Sequence, residues 1–210
     1  MSLAGQLRLM VLTDAALLKG RDPVLVCRQA AAGGATAIQV RAKHAPAEEV
    51  LALARALVRE LAVPVFVNDR VDVALAAGAA GAHLGQDDLP LAAIRPHLPP
   101  GFLIGVSVGS PAEAARVKSW PADYWSVGPC YPTKTKSDAG PALGADGFAA
   151  LARLAPGGLP VLAIGGITPG NAGALARAGA AGIAVAAAVV GASEPERAAR
   201  ALRSAFDAPG

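Results

Sequence analysis

The chain has 210 residues, of which 53% are hydrophobic and 4% aromatic, with 19 Lys and Arg against 16 Asp and Glu and a formal net charge of +3. This length can bury one sizeable core and no polar linker divides it, so we expect a single domain over residues 1–210. The mild charge and the lack of a basic run argue against nucleic-acid binding, and the longest uncharged apolar run, 178–192, is shorter than the roughly 20 residues that a membrane-spanning helix needs.

Short apolar or β-branched runs recur along the chain and predict eight strands. They lie at 7–13, 37–40, 64–68, 82–84, 103–107, 124–128, 160–164 and 182–186. The segments between them are rich in Ala, Leu and Arg at helical spacing. The clearest is 46–61, which begins with Pro46 and repeats apolar residues three and four apart, as an amphipathic helix does.

A partial repeat supports this alternation of helix and strand. "LAAGAAGAHLG" (75–85) and "LARAGAAGIAV" (175–185) each resemble a helix end, a Gly-Ala turn and a strand, and "RQAAAGGATAIQV" (28–40) is a looser copy. Glycine at a helix end can adopt the left-handed conformation, and small residues then let the next strand start close to the sheet.

Eight such units, with strands apolar enough to be buried on both sides, predict a (β/α)8 TIM barrel. The main alternative is a doubly wound open sheet. An open sheet would normally bring a glycine-rich first turn, and neither GxGxxG nor GxxxxGK[ST] occurs in the sequence.

Polar residues follow six of the eight predicted strands, at the ends that meet at one mouth of a barrel. They are Thr13 and Asp14 after strand one, Gln39, Arg41 and Lys43 after strand two, Asn68, Asp69 and Arg70 after strand three, "GQDD" (85–88) after strand four, Ser107 after strand five, and the Thr and Lys residues of "YPTKTKSDAGP" (131–141) after strand six. If the extended conformation continues past strand two, Gln39, Arg41 and Lys43 face one side, and two cations on one face indicate an anion site.

Two further features predict a metal and a phosphate. Asp69 and one of Asp87 or Asp88 provide carboxylate oxygens, which Mg²⁺ prefers, so a magnesium diphosphate site is expected beside the cations. Gly165 and Gly166, followed by Pro169 at a helix start, can present backbone N–H groups to a second phosphate.

Each feature also has a purely structural interpretation. "NDR" (68–70) can be a helix cap with a surface ion pair, "QVRAK" (39–43) a solvated strand end, and the Gly-Gly pair a plain turn. His44, His83 and His97 lack paired spacing and are expected to be structural or exposed. Cys27 and Cys130 show no CxxC or zinc-ligand pattern, so we expect neither a disulfide nor a zinc site. Two unpaired cysteines fit a protein of the reducing cytoplasm.

The whole chain resembles the thiamine phosphate synthase family. The segments that carry the resemblance occur in that family's order and spacing: "LTD" (12–14), "QVRAK" (39–43), "NDRVDVA" (68–74), "GAHLGQDD" (81–88), "GVS" (105–107), "DYWSVGPCYPTKTK" (123–136) and "AIGGITPGNA" (163–172). The resemblance implies a transferase that joins a pyrimidine diphosphate to a thiazole phosphate with Mg²⁺ and releases diphosphate. The substrates are thus small molecules, and the oligomeric state is open, with a homo-oligomer among the alternatives.

The resemblance also implies a role for particular residues. Gln39, Arg41, Lys43 and Asn68 would hold the pyrimidine diphosphate, Asp69 and Asp88 the magnesium, and Ser107 and Lys136 further diphosphate contacts. Arg41, Lys43, Ser107 and Lys136 are therefore the candidate catalytic residues. Thr133, Thr135, Gly166 and the backbone at Ala186 and Ala187 would bind the thiazole phosphate.

The sequence departs from the family pattern at several positions. Ala42 stands where the family usually has Glu, Gly109 where His is common, and Met10 where Tyr is frequent. The Ser commonly found after strand eight is absent, since Ala186 and Ala187 occupy that place. Backbone N–H groups alone would then bind the phosphate there.

Three other functions are compatible with this pattern. A thiazole tautomerase resembling the related TenI group would need neither magnesium nor diphosphate. A non-catalytic thiamine-phosphate binding module would bind ligand without turnover. A different phosphate-binding barrel, such as an epimerase or aldolase, would need a proton-transferring pair or a Schiff-base Lys, and no such Lys is evident on a predicted strand.

Overall fold

The computed structural model describes residues 2–43, 45–133, 135 and 140–208. Within them, parallel strands pair in chain order and the last pairs with the first, which closes a barrel. The strands are β1 (Leu9–Leu12), β2 (Ala37–Val40), β3 (Val65–Asn68), β4 (Gly81–Leu84), β5 (Leu103–Val108), β6 (Tyr124–Val127), β7 (Val161–Ile164) and β8 (Gly182–Val185). The eight predicted strands are confirmed to within two residues at each end, and the open-sheet alternative is wrong.

Helices lie between the strands and around the barrel. They are α1 (Leu3–Gln6), α2 (Ala15–Leu18), α3 (Pro23–Ala32), α4 (Ala47–Glu60), α5 (Val71–Ala77), α6 (Leu91–Ile94), α7 (Pro111–Val117), α8 (Gly144–Ala152), α9 (Pro169–Arg177), α10 (Ala187–Val190) and α11 (Pro195–Asp207), with a 3-10 turn at Arg95–His97. The helix predicted at 46–61 is confirmed as α4. None of the helices formed by the described residues is both long and apolar enough to span a bilayer.

The three repeat copies end their helices in the same way. Gly34, Gly78 and Gly179 have φ angles of 103°, 68° and 91°. The residue after each glycine donates its N–H to the carbonyl five positions earlier, at 3.0, 2.9 and 3.0 Å, which is the Schellman end of a helix. A strand begins two residues later in each case, so the repeat starts strands at the amino end of the barrel and directs their carboxyl ends to the opposite mouth.

The core has an inner and an outer layer. Alternate strand residues fill the barrel, among them Met10, Phe66, Tyr124 and Leu162, all at most 1% exposed. The other strand residues pack outward against the helices in a larger cluster. Because successive residues of a strand point to opposite sides, this alternation also decides which polar side chains reach the mouth of the barrel.

Candidate active site

A cavity of about 960 Å³ opens at the carboxyl ends of the strands. Residues that follow or end β1, β2 and β5 to β8 line it. Seven of the predicted site residues are among them: Arg41, Ser107, Thr133, Thr135, Gly166, Ala186 and Ala187. Lys136, another predicted member, lies outside the described residues.

The ends of β1 and β2 hold Arg41 by both its backbone and its side chain. Thr13 Oγ1 accepts a hydrogen bond from Arg41 N at 2.9 Å and donates to Arg41 O at 3.3 Å. Arg41 Nη1 donates to Asp14 Oδ2 at 2.9 Å, and these two side chains are 14% and 16% exposed. A guanidinium has five N–H donors, so the ion pair leaves donors that can bind an anion in the cavity.

Asp69 and Asp88 interact with one another, although neither is among the residues that line the cavity. Burial raises the pKa of the Asp69 carboxyl from 3.8 to about 6, and the charge of Asp88 and a hydrogen bond with it act in the same direction. Lys43 and Arg41 oppose this shift, so both cations lie within electrostatic reach of the pair. Two adjacent carboxylates that repel one another fit a divalent cation, because its charge would remove that repulsion.

The backbone holds these two carboxylates from different loops. Asp69 has a φ of 64°, a left-handed conformation that Asp tolerates better than most residues, and its N–H donates to His83 O at 2.8 Å. Asp88 Oδ2 accepts from Gly85 N at 2.6 Å. Asp87, the alternative ligand in the sequence, is exposed.

The prediction that Gln39, Arg41 and Lys43 face one side of an extended segment is wrong. β2 ends at Val40, so the alternation that would align Gln39 with Arg41 and Lys43 stops before the two cations. Gln39 is 3% exposed inside the barrel, where its Nε2 donates to Met10 Sδ at 3.4 Å. Lys43 is exposed in a turn, and Asn68 is half-buried at the end of β3.

Ser107 ends a chain of polar side chains inside the barrel. Its Oγ is 2.9 Å from His83 Nε2, and His83 Nδ1 is 3.1 Å from Tyr124 Oη. Burial raises the pKa of the Tyr124 hydroxyl. His83 is therefore buried and in contact with a predicted site residue, a contact that the sequence does not indicate. His97 is exposed, as expected, and His44 lies outside the described residues.

The glycine pair after β7 contacts the loop that follows β6. Gly165 and Gly166 have φ angles of 97° and 63°. Tyr131 N donates to Gly165 O at 3.0 Å, and a Cβ atom added at Gly166 would lie 2.5 Å from Pro132 O. This close approach requires glycine and brings Thr133 and Thr135 to the same cavity as Gly166.

The backbone after β8 forms the other side of the cavity. Ala186 and Ala187 line it at the start of α10, where the first helical N–H groups lack intrahelical partners. Arg21 connects the far ends of α2 and α10: Nε and Nη2 donate to Leu18 O and Leu17 O at 3.0 and 3.1 Å, and Nη1 donates to Ala192 O at 2.6 Å. Nη2 also donates to Val190 O.

A closed (β/α)8 barrel with a cavity at the carboxyl ends of its strands, where Arg41 can bind an anion, has the architecture of a barrel enzyme. A model of the family described as thiamine monophosphate synthase matches residues 9–189. The chain belongs to this family.

Individual relatives are similar over nearly the whole chain. The thiamine-phosphate synthase of Methanoculleus marisnigri is 48% identical over 200 residues, which cover 93% of each chain. That of Chloroflexus aurantiacus is 48% identical over 201 residues, covering 94% of this chain and 91% of the relative. The solved thiamine phosphate pyrophosphorylase of Pyrococcus furiosus superposes with a TM-score of 0.86, at 37% identity over 98% of both chains.

Proposed function

We propose that this chain is a Mg²⁺-dependent thiamine phosphate synthase that condenses hydroxymethylpyrimidine diphosphate with hydroxyethylthiazole phosphate. The products are thiamine phosphate and diphosphate. One observation supports the proposal: Arg41 lines the cavity and its charge also lowers the pKa of the Asp69 carboxyl, so we assign the cavity and the carboxylate pair to one site. The names of the relatives support the same reaction.

The proposed step is a dissociative substitution. The bond between the pyrimidine methylene carbon and the diphosphate oxygen breaks, and its electron pair leaves with diphosphate. The electron-rich aminopyrimidine supports the resulting cation, and the lone pair of the thiazole nitrogen forms the new C–N bond. No side-chain nucleophile is required.

The positive groups of the site would stabilise the leaving diphosphate. Arg41, Lys43 and Lys136 provide cations, and Ser107 a hydroxyl. Fixed charges that await a developing anion are usually the largest single contribution to catalysis. Asp69 and Asp88 would hold Mg²⁺, which when bound neutralises part of the leaving group's charge.

The two substrates would occupy different parts of the site. Gln39 and Asn68 would orient the pyrimidine, in line with their position inside the ends of β2 and β3. Thr133, Thr135, Gly166 and the backbone of Ala186 and Ala187 would bind the thiazole phosphate. Since the last two offer only backbone N–H groups, the phosphate there would be recognised through main-chain donors.

Thiamine phosphate formation from the two substrates, with and without Mg²⁺, tests the proposal. Arg41→Ala should lower kcat/KM by roughly 100-fold, as expected for loss of a transition-state charge partner. Asp88→Asn should abolish the response to Mg²⁺, whereas the exposed neighbour Asp87→Asn should behave as wild type. Full turnover of Arg41→Ala and of Lys136→Ala at saturating substrate would contradict the mechanism.

The same assay separates the alternatives. A tautomerase resembling the TenI group would convert a thiazole phosphate without releasing diphosphate. A binding module would bind thiamine phosphate without any Mg²⁺-dependent turnover. The adjacent carboxylates favour the synthase, because neither alternative gives the pair a role.

A cytoplasmic location, a single domain and a homo-oligomer also belong to this proposal. Cys27 and Cys130 are both buried and unpaired in disulfides, which suits a reducing compartment. Mass determination in solution tests the oligomeric state.

A further inference from the structure

Ser126 carries a buried hydroxyl with no hydrogen-bond partner among the residues that the structure describes. The residue is 4% exposed and lines the cavity from β6. It lies two residues after Tyr124, which fills the barrel interior, so Ser126 points to the same side from one step nearer the mouth. Buried hydroxyls are normally bonded, so an unpartnered one on a cavity wall indicates a partner that enters the cavity.

Neither strand neighbour of Ser126 forms a hydrogen bond with its hydroxyl. In the sheet, Ser126 pairs with Ser107 of β5, whose hydroxyl is already bonded to His83 Nε2 at 2.9 Å. On its other side it pairs with Leu162 of β7. The strand residues Leu12 and Ile164 add hydrocarbon to the cavity wall. A ligand atom that bonds Ser126 would therefore do so in an apolar setting, where an unmade hydrogen bond is costly.

We propose that Ser126 is a substrate-binding residue that forms a hydrogen bond with a polar edge atom of the aminopyrimidine ring. The inference rests on the proposed function. Of the two heterocycles, the aminopyrimidine keeps ring nitrogens and an amino group throughout the reaction. The thiazole uses its only nitrogen to form the new bond and otherwise presents sulfur, a weak acceptor. The hydroxyl can donate or accept, so it fits either kind of pyrimidine edge atom.

Ser126→Ala should affect the stability of the free protein and its affinity for substrate in different ways. In the free protein, loss of an unsatisfied buried hydroxyl should leave the thermal midpoint of unfolding unchanged or raise it. In the complex, the variant lacks one hydrogen bond, so the Kd for the pyrimidine diphosphate should rise by about 3- to 10-fold. A purely structural serine would lower the midpoint and leave the Kd unchanged.

Thr36→Val is the matched control, because it also removes one hydroxyl from the barrel. Thr36 Oγ1 accepts from Leu9 N at 2.9 Å and donates to Leu9 O at 3.3 Å, next to the start of β1. That hydroxyl is satisfied and lies at the opposite end of the barrel from the cavity. The control should lower the midpoint of unfolding and leave both substrate affinities as in wild type.

The experiment measures binding of hydroxymethylpyrimidine diphosphate by calorimetry with thiazole phosphate omitted, then KM for each substrate in turnover. A rise confined to the pyrimidine diphosphate supports the inference. An unchanged Kd and KM, or a rise confined to the thiazole phosphate, overturns it. Wild-type protein that forms no thiamine phosphate contradicts the proposed function instead, so the two failures are distinguishable.

Discussion

Asp14 binds the start of α2 and the side chain of Arg41 with one carboxylate. Its Oδ1 accepts from Ala16 N at 3.1 Å and from Leu17 N at 3.3 Å, while Oδ2 accepts from Arg41 Nη1 at 2.9 Å. A cap that is also an ion pair fixes the guanidinium relative to the backbone. Under the proposed function, Arg41 would thus be oriented before an anion binds, which would lower the entropy lost on binding.

Asp14→Ala should therefore weaken use of the pyrimidine diphosphate. We expect its KM to rise about tenfold as Arg41 loses its fixed orientation, and the free energy of unfolding to fall by about 1 kcal/mol from loss of the cap. Asp14→Asn keeps the cap and should restore most of the stability but not the KM. Glu196→Ala, which breaks an exposed ion pair with Arg200 on α11, is the control and should change neither. Equal KM values for Asp14→Ala and wild type would show that Arg41 needs no such support.

The pKa of Asp69 predicts a pH dependence for the metal-free protein. Its folded value of about 6 lies above the ordinary 3.8, mainly through burial and then through Asp88. The fold therefore favours the neutral form of the Asp69 carboxyl. The contribution of this group to the free energy of unfolding is fully present below about pH 3.8 and is lost as the pH rises through about 6. The difference in unfolding midpoint between wild type and Asp69→Asn should change across that window.

Magnesium should reverse this trend, because it binds the ionised carboxylates. Above about pH 6 the cation should raise the midpoint of wild type, and the effect should fade as Asp69 is protonated at lower pH. Asp72→Asn, on the exposed start of α5, is the control. Mg²⁺ should still raise its unfolding midpoint above about pH 6, and this effect should still fade at lower pH. If the unfolding midpoint of the wild type does not change with Mg²⁺ at pH 7.5, no metal binds at this carboxylate pair.

Gly166→Ala should impair use of the thiazole phosphate. The residue has a φ of 63°, and its new methyl group would lie 2.5 Å from Pro132 O and 2.7 Å from Tyr131 C, so the two loops would have to separate. Gly179→Ala is a matched control, since it also has a positive φ but nothing within 4 Å of the added atom. Both should lose about 1 to 2 kcal/mol of stability from backbone strain, and Gly166→Ala should lose more because of the clash. Only Gly166→Ala should raise the KM for thiazole phosphate, and equal KM values for the two variants would refute the assignment.

Arg21→Ala should raise the KM for thiazole phosphate without direct contact to it. Arg21 donates to carbonyls at the ends of both α2 and α10, so its loss should release α10 and displace Ala186 and Ala187. We expect about 2 kcal/mol lower stability, as for loss of charged hydrogen bonds. Lys cannot reproduce the forked geometry and should recover only part of both effects.

Arg95→Ala is the control that separates the rise in KM expected for Arg21→Ala from the effect of lower stability alone. Arg95 also makes several bonds, two to Asp123 and one to Phe102 O, but next to the starts of β5 and β6. It should lower stability by a similar amount with an unchanged KM. A KM that rises equally in both variants would mean that α10 is not specifically involved.

The sequence predicted the barrel well because each unit is marked locally. Alternating apolar runs mark the strands, and Gly34, Gly78 and Gly179 mark helix ends that repeat the same hydrogen bond. These signals need no knowledge of distant contacts. Since strand ends in a barrel converge, the order of strands in the sequence is enough to predict that the residues after each strand meet at one mouth.

The parts that sequence reasoning missed depend on contacts between strands. The sequence places Asp14 after strand one, but the bond of Asp14 to Arg41 joins residues 27 positions apart. His83 and Ser126 lie inside the quoted segments 81–88 and 123–136, but neither segment indicates a role for them. A polar residue at an inward position of an otherwise apolar strand was the available signal, and only the neighbouring strands decide that His83 is bonded and Ser126 is not.

The chain leaves β6 and returns to almost the same point before α8. Leu143 N donates to Pro129 O at 2.9 Å, and Gly144 N donates to Cys130 O at 2.8 Å. The two ends of the segment between them are therefore held together by hydrogen bonds. A change in the length of this segment should add little loop-closure entropy and leave the strand positions intact. Under the proposed function, exchange of this segment would alter the contacts of Thr133 and Thr135 with the thiazole phosphate and of Lys136 with the diphosphate, while the strands keep their places.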